Sequence, residues 1–190
     1  TENEYFEVKK LSRGKIKIKI FPNGVWNIPE NSSNLSKSQK EKFVNFVNPL
    51  KYILFVGRLS YVKGPDILLE AFCKIKKKEK FSLIFAGPDD NMKEGMINSC
   101  KKYNLDNDIH FLGRISPEQR NYLMKNAFLT VIPSRREAMS LVALESAILS
   151  TPFLATSCCG LDDFYKLSAG FICEPNSKSI STILSKLFIN

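Results

Sequence analysis

The chain has 190 residues, enough for one domain with a sizeable core. Its apolar and charged fractions, 44% and 25%, are those of an ordinary globular protein, and no apolar run approaches bilayer length, so nothing in it reads as a membrane-spanning helix. The net charge of +9 comes mainly from lysine and suits either an acidic partner (phosphates, anionic lipid, nucleic acid) or plainly solvated helix faces.

Residues 15–20, KIKIKI, alternate strictly and predict a strand with one wet, basic face, ended by the Pro22 and Asn23-Gly24 turn in FPNGVW. NSSNLSKS, residues 31–38, reads as a polar loop, followed by a short helix carrying Phe43, Phe46 and Val47. From residue 51 the pattern becomes regular. Apolar strands are predicted at 51–57, 80–87, 108–113, 128–133, 151–156 and 170–174, and helices at 64–78, 91–104, 116–127, 140–149 and 179–188. Ser116, Pro117 and Glu118 form a helix start, and the lysines of residues 74–80 suit a helix end. Wholly apolar strands alternating with helices predict an α/β domain: a Rossmann-like parallel sheet with helices on both faces. Ligands of such sheets bind beyond the strands' carboxyl ends, here the loops after Gly57, Gly87, Gly113, Pro133 and Thr156.

The five cysteines are odd in number and form no C-x-x-C pair, so they read as reduced thiols in a reducing compartment. With one histidine, His110, set in the apolar run DIHFLG, neither a structural zinc site nor a Ser-His-Asp triad is expected. Two loops stand out. In FVGRLSYVKGPD, residues 55–66, Gly57 lets the chain turn, and Arg58 and Lys63 flank a helix start; that suits a diphosphate, and a solvated basic loop fits the residues equally. In PSRREAMSLVALESA, residues 133–147, Ser140 can cap a helix whose first amides, with the helix dipole, make an anion site. Glu137 ends the preceding loop, where a carboxylate beside an anion site costs electrostatic energy and needs a reason. Glu145, early on the helix, can accept hydrogen bonds from the vicinal hydroxyls of a ribose, or be a surface glutamate favoured by the dipole.

Taken in order, VGRLSYVKGPDILLEAF, FAGP, HFLGRIS, IPSRREAMSLVALESA and TPFLAT resemble the C-terminal domain of family 4 glycosyltransferases, retaining enzymes of the GT-B fold. The motif E-x7-E runs from Glu137 to Glu145, and FPNGVW is similar to the family's crossover strand and its NG turn; the resemblance covers roughly residues 16–175. It implies that Arg58 and Lys63, beside Gly57, hold a donor diphosphate and offset charge as the nucleotide leaves. It implies that Glu137 faces the donor sugar. The chain at Ala138, Met139, Ser140, Leu141 and Val142 would contact sugar hydroxyls and phosphate, Glu145 the ribose, and Gly113, Arg114 and Ile115 would border the base. The implied chemistry is transfer of a hexosyl group from a nucleotide-sugar such as a UDP- or GDP-sugar, with retention by front-face displacement, to a saccharide or lipid-linked acceptor. No cofactor or divalent metal is implied, because cationic side chains and helix amides do a metal's electrostatic work.

A GT-B enzyme closes a cleft between two halves. Residues 1–14 therefore read as the tail of a missing N-terminal domain, and residues 15–190 as the donor-binding domain. Acceptor contacts would come from the missing half, and this chain alone is expected to bind donor weakly without turnover. The implied setting is cytoplasmic polysaccharide assembly, with the basic surface compatible with peripheral contact at the inner face of a membrane.

The sequence departs from the family at SCCGLDDF, where Cys159 stands in place of a glycine and Asp162 or Asp163 in place of a glutamate, at Asn126-Ala127-Phe128, and at Ser150-Thr151-Pro152, where a glycine is usual. None of these is expected to touch the two cations or the two glutamates. A non-catalytic nucleotide-binding or interaction module of the same fold is the alternative. A Rossmann oxidoreductase lacks its G-x-G-x-x-G here, and nucleic-acid binding would rest on charge alone.

Overall fold

The computed structural model describes residues 2–21, 23–25, 35–36, 51–75, 81–105, 107–161 and 170–189. After helix α1 (Glu2–Leu11), strands and helices alternate: β1 (Lys51–Val56), α2 (Pro65–Cys73), β2 (Phe81–Ala86), α3 (Lys93–Lys102), β3 (Ile109–Gly113), α4 (Pro117–Asn126), β4 (Leu129–Ile132), α5 (Leu141–Ile148), β5 (Phe153–Thr156), β6 (Phe171–Cys173) and α6 (Ser177–Ile189). Six strands among the described residues form one sheet in the order β3-β2-β1-β4-β5-β6, every pair parallel. This is the Rossmann order, in which successive crossovers run outward in opposite directions from β1 and β4. Ligands of this fold bind in the crevice at that switch point, outside the carboxyl ends of β1 and β4.

Alternation along each strand sends side chains to both faces, and helices cover both. On one face Ile53 and Phe55 of β1, with Leu83 and Phe85 of β2, pack against Leu68 and Phe72 of α2, Met96 of α3 and Ile180 and Leu184 of α6. On the other, Tyr52 and Leu54 meet Leu123 and Met124 of α4, and Leu35 joins them. The Tyr52 hydroxyl donates to the Leu123 carbonyl at 2.6 Å, which satisfies the polar end of a buried ring, and burial pushes its ionisation well above the ordinary phenol range. A third cluster joins Ala143 of α5 to Phe153 and Ala155 of β5. His110 lies within β3, and burial holds its imidazole below the usual histidine range, as befits a strand residue. No helix among the described residues is long and apolar enough to cross a membrane.

Most expected elements form, with ends trimmed by local chemistry. Ser116 opens α4 with a capping box: its Oγ accepts from the Gln119 amide, and the Gln119 side chain accepts from the Ser116 amide. The strand expected over residues 15–20 does not form. These residues are irregular and pair with no strand among the described residues, and Ile16 and Ile20 are exposed. Alternation alone cannot make a strand without a partner edge to take its hydrogen bonds. The residues just before it coil into α1. The helix expected around Phe43, Phe46 and Val47, the polar loop apart from Leu35 and Ser36, the lysines of residues 76–80, and Asp162 and Asp163 lie outside the described residues.

Helix α5 ends in a Schellman arrangement: the Thr151 amide donates to the Ser146 carbonyl at 2.9 Å and the Ser150 amide to the Ala147 carbonyl at 3.0 Å. That geometry demands a left-handed residue at position 150, and Ser150 has φ +57°. A serine there carries the steric cost that glycine avoids. Ser150→Gly should therefore raise the unfolding free energy by about 0.5–1 kcal/mol, read as a higher urea midpoint at unchanged m-value. An unchanged or lowered midpoint would contradict this account of the helix end.

Candidate functional site

The crevice is built from three loops. The first leaves β1 at Gly57, runs through Arg58 and a 3-10 turn (Tyr61–Lys63), and enters α2 through Gly64, which is left-handed at φ +65°. Pro65 at the first helical position is pre-set for the helix. The second loop leaves β4 at Pro133 and reaches α5. A side chain on Gly64 would place its Cβ 2.2 Å from the Pro133 carbonyl oxygen, so glycine is what lets the two loops meet.

That approach brings Lys63 to Glu137. The Lys63 Nζ donates to Glu137 Oε1 at 2.8 Å, and the Ser134 hydroxyl donates to the same oxygen. The Glu137 side chain is 9% exposed and that of Lys63 39%, so this is a largely sheltered pair on the rim of the crevice. The two donors supply the compensation that a carboxylate in this position requires. Arg135 ties the loops again. Its guanidinium grips Asp66 through two hydrogen bonds of 2.9 and 2.6 Å, donates to the Tyr61 carbonyl at 2.6 Å, and stacks over the Tyr61 ring at 3.9 Å. The Arg135 amide donates to the Val62 carbonyl at 2.8 Å.

The third loop follows β5 and holds the second from behind. The Thr156 hydroxyl donates to the Ser134 carbonyl. The short 3-10 turn Ser157–Cys159 offers the Cys158 carbonyl to the Glu137 amide at 2.9 Å and the Cys159 carbonyl to the Ser140 amide at 3.0 Å. The expectation that the departures from the family pattern stay clear of the glutamates is thereby corrected: the Cys158-Cys159 turn bonds directly to Glu137's backbone, because the loops after neighbouring strands β4 and β5 lie side by side. The Cys159 thiol is buried against the Ile132 carbonyl and the Thr156 hydroxyl, and burial pushes its pKa up to about 11, so it stays a protonated thiol.

Ser140 stands at the N-cap position of α5, but its hydroxyl caps nothing: it is buried without a hydrogen-bond partner. The expected side-chain cap is therefore absent, although the Ser140 amide itself is held by the Cys159 carbonyl. The amides of Leu141, Val142 and Ala143 precede the first hydrogen bond of the helix, which Leu144 donates to the Ser140 carbonyl at 3.4 Å. The helix start remains a cluster of amide donors at the positive end of a dipole. Ala138 is exposed and Met139 half-buried, its carbonyl accepting from the Asn23 side chain at 3.3 Å. Leu141 is exposed and Val142 half-buried.

Arg58 is not drawn into the Lys63–Glu137 contact. It is largely exposed and lies 4.0 Å from Asp90 in the loop after β2. Gly57 sits where β1 and β2 end together: a Cβ on Gly87 would fall 1.9 Å from the Gly57 carbonyl. Gly113 ends β3 with φ +68° and open space where a side chain would be, followed by exposed Arg114 and half-buried Ile115. Glu145, one turn into α5, pairs with Arg120 of α4 at 2.9 Å. Sequence reasoning passed over Arg120, Arg135, Asp66 and Ser134. Their partners are distant in the chain, apart from the short step from Ser134 to Glu137, and no local spacing signals them.

The family model "Glycosyl transferases group 1" matches residues 36–190. An uncharacterized glycosyltransferase of Methanocaldococcus jannaschii is 33% identical over 152 residues, covering 79% of this chain and 39% of that protein. Among solved structures, WaaG, a glycosyltransferase involved in lipopolysaccharide biosynthesis, superposes with a TM-score of 0.72 at 22% identity over 90% of this chain and 47% of its own. Anabaena HepE in complex with UDP and glucose superposes with a TM-score of 0.67 at 21% identity over 82% of this chain and 44% of its own. The chain spans less than half the length of each of these three proteins.

The Gly64–Pro133 approach makes a direct prediction. Gly64→Ala should lower the unfolding free energy by about 2–4 kcal/mol, from left-handed strain plus the clash. Gly95→Ala, inside α3 with open space around its Cβ, should instead raise it by up to about 1 kcal/mol. Urea denaturation of both variants reads the difference, and equal midpoints would refute the loop contact.

Proposed function

Since the chain belongs to the group 1 glycosyl transferases, we propose that its β1–β4 crevice binds the nucleotide-sugar donor of a retaining hexosyltransferase. The observation that carries the reading is the Lys63–Glu137 contact beside the start of α5. One ammonium has three donors. Glu137 takes one, and the others remain for a diphosphate lying against the free amides of Leu141, Val142 and Ala143. A cation and a helix start then share the phosphate charge. The donor sugar would lie next to Glu137, joined to the phosphate that Lys63 touches.

In this reading Lys63 stabilises the charge that grows on the departing diphosphate, and Arg58 adds to it by swinging from Asp90 towards the phosphates. Stabilisation of charge that develops only as the bond breaks lowers the barrier rather than merely tightening binding. The leaving phosphate would take the acceptor's proton on the same face, which retains the configuration. Glu137 would hold the sugar hydroxyls and support positive charge at the ring. Gly113, Arg114 and Ile115 would border the base, and Glu145 the ribose. No divalent metal is assigned a step. The acceptor, a saccharide or lipid-linked saccharide, would be held by a second domain. The exposed apolar and basic side chains of residues 6–21, among them Phe6, Leu11 and Phe21, suit such a neighbouring surface or the face of an anionic membrane.

Saturation-transfer NMR of the 190-residue chain with UDP-, GDP- and ADP-sugars tests the proposal. At least one should bind. Lys63→Ala should weaken it about 10- to 100-fold, as loss of a charge-assisted contact does. Glu137→Ala should weaken the nucleotide-sugar more than the free nucleotide. A folded chain that binds none of the three would overturn the assignment.

A further inference from the structure

Among the described arginine–carboxylate pairs, Arg135–Asp66 and Arg120–Glu145 are the more sheltered ones, and they are built differently. Arg135 and Asp66 close as a two-bond fork, which is how a guanidinium and a carboxylate satisfy each other. Arg120 and Glu145 do not. One bond joins Arg120 Nη2 to Glu145 Oε1 at 2.9 Å, while Glu145 Oε2 and Arg120 Nε are both enclosed and have no hydrogen-bond partner. A charged pair left half-satisfied is costly for a fold to keep, since each sheltered orphan forfeits the hydrogen bond it would make in water. The pair also leaves one acceptor and one donor unpartnered, which a ligand could satisfy if the two side chains turned towards it.

The position narrows the ligand. Glu145 lies four residues beyond Leu141 on α5, about 6 Å along the axis, so a group bound to the Leu141 and Val142 amides would have its next chemical unit at Glu145. Arg120 projects from the first turn of α4, just beyond residues 113–115 at the end of β3. A vicinal diol fits the open pair: each hydroxyl both donates and accepts, so one donates to the carboxylate while the other accepts from the guanidinium. The side chains remain 15% and 35% exposed for Glu145 and Arg120, which leaves room for them to turn towards it.

We propose that Arg120 takes part in nucleoside recognition beside Glu145, the two side chains together reading the ribose diol of the donor. The proposal rests on the donor-binding reading above and adds to it a second residue at the ribose. Arg120 donates to one hydroxyl and holds Glu145 for the other, so its removal should cost selectivity for the hydroxyls and not merely affinity.

The test is calorimetric titration of the 190-residue chain with UDP, GDP and ADP, then of the tightest of these against its 2′-deoxy and 3′-deoxy analogues. The wild type should lose about tenfold or more on at least one deoxy analogue. In Arg120→Gln that ratio should collapse to within about twofold, in Glu145→Gln likewise, and the double variant should lose no more than either single one. Arg120→Lys keeps the charge without the planar fork and should keep only part of the ratio; it carries the comparison if Arg120→Gln does not fold. A variant that weakens parent and deoxy ligands by the same factor would show Arg120 to be a structural prop and overturn the proposal. A folded wild type that binds no nucleoside diphosphate would overturn the donor-binding reading itself, which is a distinguishable failure.

Discussion

Backbone meets backbone at the centre of this domain. Gly64 and the Pro133 carbonyl approach so closely that a methyl group would not fit between them, and everything chemical at the crevice is placed relative to that contact. Lys63 is one residue before it and Glu137 four residues after Pro133. Each arrives by a short rigid step from a buried strand, β1 or β4, and these two strands are neighbours in the sheet. The pairing of a cation with a carboxylate is therefore a consequence of sheet order as much as of side-chain choice. A parallel sheet whose strand order reverses between β1 and β4 has its two innermost loops side by side, and a glycine lets them touch.

Rigidity around the pair comes from groups that do not themselves face the crevice. Arg135 grips Asp66 and the Tyr61 carbonyl with its side chain and the Val62 carbonyl with its amide, so the loop carrying Lys63 cannot drift from the loop carrying Glu137 without breaking four hydrogen bonds. Behind them, carbonyls of the turn after β5 hold the amides of Glu137 and Ser140. Each bond joins groups that would otherwise need water. Side chains held this way lose little further freedom when a ligand arrives, which is the physical content of preorganisation.

The sheet was legible from residue 51 onward because its strands are buried on both faces, and wholly apolar runs separated by helix-period segments have few other foldings. Lys63, Glu137 and the α5 start were legible for a related reason: in such a sheet only loops at strand carboxyl ends can gather. What escaped was whatever depends on a partner far away in the chain. The KIKIKI segment has the period of a strand, yet pairing is a property of two segments, and none accepts it among the described residues. Ser140 has the chemistry of a cap, but the loops packed around it bury its hydroxyl, which caps nothing. Arg120 and Arg135 are indistinguishable in one dimension from the solvated lysines around them. Only the fold sets one against Asp66 and the other against Glu145.

The departures from the family pattern show which positions matter to the backbone and which only to side chains. Cys159 replaces an expected glycine, yet the left-handed residue of that turn is the next one, Gly160 at φ +62°, so the conformational requirement is still met by a glycine. The bonds that the turn makes to Glu137 and Ser140 come from carbonyl oxygens, which any residue supplies, and the cysteine side chain fills a buried gap with a thiol weakly bonded to Ile132 and Thr156. At position 150 the requirement does fall on the substituted residue: Ser150 itself is left-handed, and the end of α5 is strained where a glycine would relax it. One replacement is thus absorbed at no backbone cost in direct contact with the Glu137 loop, while the other costs stability at the far end of α5, three residues beyond the turn that carries Glu145. Nearness to the functional residues is a poor guide to what a substitution costs here; the φ angle each position must adopt is a better one.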